Sequence, residues 1–253
     1  MLGRWYKSKT HNNIEYEYFH IDDPHVSEHI CDIDGQGYYS QLSQDTFVTQ
    51  VLNYKKNGTF VDIGAAHPIK INNTYKLEDD LNWNGVSVDY GPNRCNGLPD
   101  GNSDITFTSS DYEEFWNKYR KTPIIVGDAL EVDYKELFEK YNLPKTIDYL
   151  SVDIEPPLGT FKALQEVFKT GYKFNVITFE TERDRICICN TDPDFAEYIT
   201  PENGYCGNKQ SREFITSFGY ERVSCGCPDT EDWYIHKDYI EENPDYDYLY
   251  KDK

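Results

Sequence analysis

The sequence predicts an α/β fold built on a doubly wound, mostly parallel sheet. Three observations carry this. Short apolar runs alternate with helical segments of about 10–15 residues, the pattern of crossover units. The apolar runs are continuous rather than alternating, as in strands covered on both faces. The runs also end on acids: Asp62, Asp89, Asp128, Asp153 with Glu155, and Glu180. In such sheets, ligands bind beyond the carboxyl ends of the strands.

Each element follows in order. Residues 1–36 are polar, rich in His, Asp and Glu, and show no clear period, so they read as an extension or cap. Ser43 is placed to cap a helix reaching about Tyr54, with Phe47, Val48, Val51 and Leu52 on one face. Gly58 breaks it, and Thr59 to Gly64 (TFVDIG) is the first apolar strand. A helix over 73–81 leads to a second strand, Gly85 to Asp89 (GVSVD). Residues 90–109 read as a loop rich in Gly and Pro. A helix over 111–120 precedes a third strand, Ile124 to Val126. A helix over 133–141 precedes a fourth, Ile147 to Ile154 (IDYLSVDI). The helix over 160–169 closes on Gly171 in the left-handed C′ role. Phe174 to Phe179 is a fifth strand, and 211–218 a helix followed by Gly219. Tyr220 to Ser224 and Trp233 to His236 are the last two strands. Residues 37–240 thus form the main domain, and 241–253 an acidic, Tyr-rich tail.

Composition narrows the function. The chain has 253 residues, 25 Lys plus Arg against 45 Asp plus Glu, and a formal net charge of −20. Nucleic acid binding needs clustered cations, so a polyanion is an unsuitable partner. An anionic membrane surface is unsuitable for the same reason. No apolar stretch approaches the ~18 residues of a membrane-spanning helix. The N-terminus has no apolar run of the secretory kind, which leads to the expectation of a soluble, cytoplasmic protein. Seven cysteines are an odd number for a disulfide framework, and reduced thiols are expected. Cys187, Cys189, Cys225 and Cys227 form two C-x-C pairs that offer four thiolates to a structural zinc. Structural zinc sites more often use C-x-x-C spacing, and free thiols are the competing reading.

The turn after the first strand is Gly64-Ala65-Ala66-His67-Pro68. It is not G-x-G-x-x-G, and no G-x-x-x-x-G-K-[ST] occurs, so neither a dinucleotide pyrophosphate nor a P-loop nucleotide is indicated. Asp89 lies 27 residues after Asp62, near the spacing at which an acid meets a ribose. S-adenosyl methionine suits these parts. It has ribose hydroxyls and no phosphate, and its cationic sulfonium fits an acid-lined mouth. The competing reading of each strand-end acid is a solvated residue or a helix cap.

SQLSQDTFV (40–48), GTFVDIGAAHPIKINNTYKLE (58–78), WNGVSVD (83–89), IDYLSVDIE (147–155), VITFE (176–180), GY (219–220) and DWYIH (232–236) together resemble the FkbM-type S-adenosyl-methionine-dependent methyltransferase family over about residues 38–237. The resemblance implies a class I methyltransferase (Rossmann-like) fold whose last strand, Trp233 to His236, is antiparallel. It implies methyl transfer to hydroxyl oxygen, often on a sugar or glycan. Carried over, Asp62, Gly64 and Ala65 line the methionine end of the cofactor, Asp89 takes the ribose, and Asp128 with Ala129 meets adenine. Gln44 and Asp45 close over the cofactor tail. Two departures stand out. The family's DxEG becomes Asp153-Ile154-Glu155-Pro156-Pro157 here, and the segment 90–109 replaces a regular helix start.

Methyl transfer to oxygen is mainly a positioning problem, with a base to take the hydroxyl proton. Asp153, Glu155, Glu180 and His67 are the candidates, and His67 has the competing reading of a loop-shaping residue. The same acids could hold a divalent cation through oxygen ligands. Two further readings remain open: methylation of a small non-sugar hydroxyl compound, and a catalytically silent binding module on the same fold.

Overall fold

The computed structural model describes residues 4–7, 17–20, 39–91, 109–154, 157–181, 207–224 and 231–243. Arg4–Lys7 (β1) and Glu17–His20 (β2) pair as a two-stranded antiparallel sheet, Arg4 opposite His20. They lie in the stretch that was expected to be irregular. Strands of four residues are too short to show a period-2 pattern.

The remaining described strands form one seven-stranded sheet. These are Thr59–Ile63 (β3), Asn84–Asp89 (β4), Ile124–Val126 (β5), Thr146–Val152 (β6), Lys173–Glu180 (β7), Tyr220–Ser224 (β8) and Glu231–His236 (β9). Their order is β5-β4-β3-β6-β7-β9-β8. All neighbours are parallel except β9, which runs antiparallel to both β7 and β8. This is the class I methyltransferase arrangement, an α/β doubly wound sheet with an antiparallel last strand. The chain leaves β3 toward β4 and β5, then returns to the other side of β3 for β6 and β7. The crevice of such a sheet opens at this reversal, between the carboxyl ends of β3 and β6.

The helices are Gln44–Val51 (α1), Tyr75–Asp79 (α2), Ser109–Asn117 (α3), Tyr134–Lys140 (α4), Pro157–Lys169 (α5), Gly207–Ser217 (α6) and Lys237–Glu242 (α7). The alternation of strand side chains sorts them into two layers. Val61, Ile63, Val86, Val88, Leu150 and Val152 pack against α4 and α5 in the larger core. Phe60, Tyr149, Val176, Trp233 and Ile235 face α1 and α2. Phe47 of α1 stacks on Trp233, ring centroids 4.4 Å apart.

Helix starts depart from expectation for local reasons. Ser43 does hold the cap position of α1, but at φ 67 its hydroxyl makes no cap bond. Asp45 does the work instead, accepting from the amides of Tyr39 (2.6 Å), Ser40 (3.2 Å) and Thr46 (2.8 Å) and from the Ser40 hydroxyl. α2 begins late because Asn72 Oδ1 accepts from the amides of Thr74 and Tyr75 (2.9 and 2.7 Å). α5 starts at Pro157 rather than Thr160, since proline's fixed φ and missing N–H suit a first helical position. Among the described residues, no helix is long and apolar enough to cross a membrane.

Phe60 is fully buried on the central strand, under α1 and α2. Phe60→Ala should cost about 3–5 kcal/mol in denaturant unfolding, the range for emptying a large core position. A loss below about 1 kcal/mol would contradict the packing described.

Candidate cofactor and acceptor site

Gly64 follows β3 at φ +86, a conformation that favours glycine. A Cβ built there would lie 1.7 Å from the Asp153 carbonyl oxygen, so no side chain fits. The turn is pinned on both sides: the Gly64 amide donates to Val88 O (2.8 Å) and the Asp153 amide to Ile63 O (2.8 Å). The ends of β3, β4 and β6 therefore meet at one bare-backbone turn, at the mouth of the crevice. Ala65, 3% exposed, continues the turn, and its carbonyl accepts from Asn72 Nδ2 (3.0 Å).

Asp62 sits below this turn, 1% exposed, and accepts from the Thr74 hydroxyl (2.9 Å). Burial pushes its carboxyl up to about 6, against the opposing pull of Thr74 and the Arg120 charge. Arg120 is the centre of the surrounding network, and its side chain is fully buried. Its Nε meets Glu78 Oε2 at 2.7 Å. Nη1 donates to Pro68 O (3.1 Å) and Asn72 Oδ1 (3.0 Å), and Nη2 to the Thr74 hydroxyl (3.0 Å). The guanidinium also lies over Trp116, 4.7 Å from the ring centroid. Glu78 in turn accepts from the Lys121 amide and from the Thr122 amide and hydroxyl. The network fixes the 64–75 loop from behind. Neither Arg120 nor Glu78 stands out in the sequence, because a lone charge after a helix reads as solvated.

At the end of β4, Asp89 Oδ2 accepts from the Ala66 amide (2.9 Å) and Oδ1 from the Gly91 amide (2.8 Å). Burial raises its carboxyl above the ordinary value, and the Asp153 charge adds to this. Each oxygen keeps a further lone pair for an incoming hydroxyl. Asp128, past β5, accepts from the Leu130 amide (2.8 Å). Ala129 is buried, and its carbonyl accepts from the Tyr134 hydroxyl (2.8 Å).

On the other side of the reversal, Asp153 follows β6 and Glu180 ends β7. Glu180 shares its sheet face with Thr178 and stands in register with Glu231, the first residue of β9. Glu231 was not among the expected site residues: it lies two positions before the apolar run that marks β9. It is 3% exposed, accepts from Gln44 Nε2 (2.6 Å) and Trp233 Nε1 (2.7 Å), and burial together with the Asp153 charge pushes its carboxyl up to about 8. Asp153 thus raises Asp62, Asp89 and Glu231 alike, which locates it among them. Gln44 is consumed by this contact and by the Leu42 amide (2.8 Å), and Asp45 by the bonds at the start of α1.

His67 lies in the loop after β3, packed edge-on against Phe115. Its Nδ1 accepts from the amides of Ile69 (3.0 Å) and Lys70 (2.9 Å). Burial lowers the ring to about 4. The neutral ring with Nδ1 engaged carries its hydrogen on Nε2, which leaves no lone pair for a substrate proton. The geometry is that of a loop-shaping residue. Glu155 and all seven cysteines lie outside the described residues. Among the described residues, no group of three or more His, Cys, Asp or Glu side chains is arranged to hold a metal ion.

No protein-family model matches the chain, and no curated protein matches it significantly. Solved structures with a similar arrangement include YjhP from E. coli, at 13% identity and TM-score 0.42, covering 79% of this chain and 71% of that one. A SAM-dependent methyltransferase from Anabaena variabilis is 12% identical at TM-score 0.41, covering 78% and 86%. M. jannaschii TYW2, in complex with AdoMet, is 12% identical at TM-score 0.37, covering 80% of each. The fold assignment rests on the strand order.

Removing one member of a buried ion pair leaves the other charge unpaired and costs about 3–5 kcal/mol. Arg120→Met should destabilise by that amount in urea unfolding, and adding Glu78→Leu should recover part of the loss. A double variant no more stable than the single one would contradict the pairing.

Proposed function

We propose that the chain is an S-adenosyl-methionine-dependent O-methyltransferase of the FkbM type, acting on a hydroxyl of a sugar or glycan. The observation that carries this reading is the acid-lined crevice at the β3/β6 reversal. Asp62, Asp89 and Asp153 surround a bare-backbone turn, and the nearby Arg120 is engaged by Glu78. Carboxylates held in a poorly solvated mouth favour a cationic ligand over an anionic one. That fits a sulfonium and disfavours a phosphate. The quoted family blocks, which run in family order along the chain, support the same cofactor and the hydroxyl acceptor.

The residues present fit the cofactor. Asp89 can receive the ribose hydroxyls on its open lone pairs, and Asp128 with Ala129 stands where adenine would meet the end of β5. When bound, S-adenosyl methionine supplies a methyl group activated by its positive sulfur. The chain's own part is to align the acceptor oxygen with that methyl group and to receive the hydroxyl proton. Asp153 and Glu180, at the ends of β6 and β7, are the carboxylates on the acceptor side. The engaged Nδ1 of His67 argues against it as the base. The sheet provides rigid support for both halves of the site.

Calorimetry should show binding of S-adenosyl methionine to the wild-type chain. Asp89→Ala should weaken it by about 1.5–3 kcal/mol, the scale of a hydrogen bond to a charged group. Affinity unchanged in that variant would remove the ribose assignment, and no binding by the wild type would remove the reading itself.

A further inference from the structure

We propose that Glu231 is a positioning residue on the acceptor side: an uncharged acid that ties the start of α1 to the start of β9 beside Asp153 and Glu180. The acceptor-side placement rests on the methyltransferase reading; the clamp and the charge state stand on geometry. Glu231 is 3% exposed, and the two donors that reach it, Gln44 Nε2 and Trp233 Nε1, are both neutral. A buried carboxylate without a cation is costly, and such groups hold their proton instead.

Among the described residues, the charged groups nearest its carboxyl are acidic. Asp153 approaches from the end of β6 and acts on it electrostatically. Glu180 of β7 is its register partner, and such opposed side chains have Cβ atoms about 4.5–5.5 Å apart. Asp232, next on β9, points to the other face, where Arg212 (2.7 Å to Nη2) and Arg222 (2.9 Å to Nη1) neutralise it. Asp45 of α1 faces the 39–40 backbone. Among the described residues, no Lys, Arg or His is paired with Glu231. Carboxyl groups crowded in this way do not all ionise. Each Glu231 oxygen accepts one N–H and keeps a lone pair that can carry the proton. The value of about 8 agrees with this placement.

The same contacts explain what the clamp does. Gln44 Nε2 on Glu231, its Oε1 on the Leu42 amide, and the Phe47–Trp233 stack fix α1 against β9. α1 therefore walls the side of the crevice where β7 ends and β9 begins. Ionising Glu231 would add a charge beside Asp153 and strain that wall.

The folded chain holds a proton that the unfolded chain releases near the ordinary 4.5. Stability from protonated Glu231 is complete below that value and is lost as pH rises toward about 8. Glu231→Gln mimics the neutral acid and removes this loss.

The test uses the full chain and Trp233 as reporter, since its indole donates directly to Glu231. Near-UV circular dichroism of the wild type should show an alkaline transition centred near 8. Glu231→Gln should lack it, and its melting temperature should fall less than that of the wild type over the same rise in pH. Superimposable titrations of wild type and Glu231→Gln would overturn the proposal. If the variant does not fold, infrared spectra of the wild type decide: a protonated-carboxyl band lost through the same transition supports the proposal, and its absence at neutral pH overturns it. S-adenosyl methionine affinity separates the two claims. Failure of the wild type to bind removes the methyltransferase reading and leaves the titration standing. Binding by the wild type that Glu231→Gln abolishes would overturn the acceptor-side placement.

Discussion

Arg120 carries a positive charge to a position where its side chain has no contact with solvent. Such a charge persists only if every donor finds an acceptor. Here the acceptors all come from one stretch, 68–78, that is distant in sequence from Arg120: the Pro68 carbonyl and Asn72 amide oxygen of the loop after β3, the Thr74 hydroxyl, and the Glu78 carboxylate of α2. Satisfying one guanidinium therefore fixes the loop, the start of α2 and the approach to β5 together. Thr74 passes the constraint to Asp62, and Asn73 passes it to Ser151 on β6 (2.9 Å). The net stabilisation from such a pair can be small, since desolvation offsets attraction. Its structural consequence is a loop held in one shape beside the crevice.

The strands were legible because burial on both faces forces continuous apolar runs. Thr59–Ile63 and Ile124–Val126 lie where those runs stand. Strand ends were less legible, because backbone partners decide them. β6 stops at Val152 although the apolar run continues to Ile154, whose amide turns to the Thr160 hydroxyl (3.3 Å). The Ser43 cap failed for a related reason: a left-handed backbone there turns its hydroxyl away from the helix, and Asp45 takes the role.

The candidate site divides along the same line. Asp62, Asp89, Asp128, Asp153 and Glu180 could be named from sequence because each ends an apolar run. Arg120 and Glu78 could not, since their partnership spans 42 residues and each alone resembles a surface charge. Glu231 escaped notice because β9 is antiparallel, which brings its first residue, rather than its last, to the crevice. His67 shows the converse: its residue type suggests a base, while its position in the turn gives Nδ1 to two backbone amides.

Under the proposed function, the acidic mouth between β3 and β6 receives the cationic sulfur of S-adenosyl methionine. A crystal structure grown with that compound tests it most directly. The ribose hydroxyls are expected on Asp89 and the methionine end over Gly64, with the sulfur toward Asp153 and the side of β7. A ligand bound elsewhere on the chain, or a crevice that stays closed to it at saturating concentration, would contradict the claim.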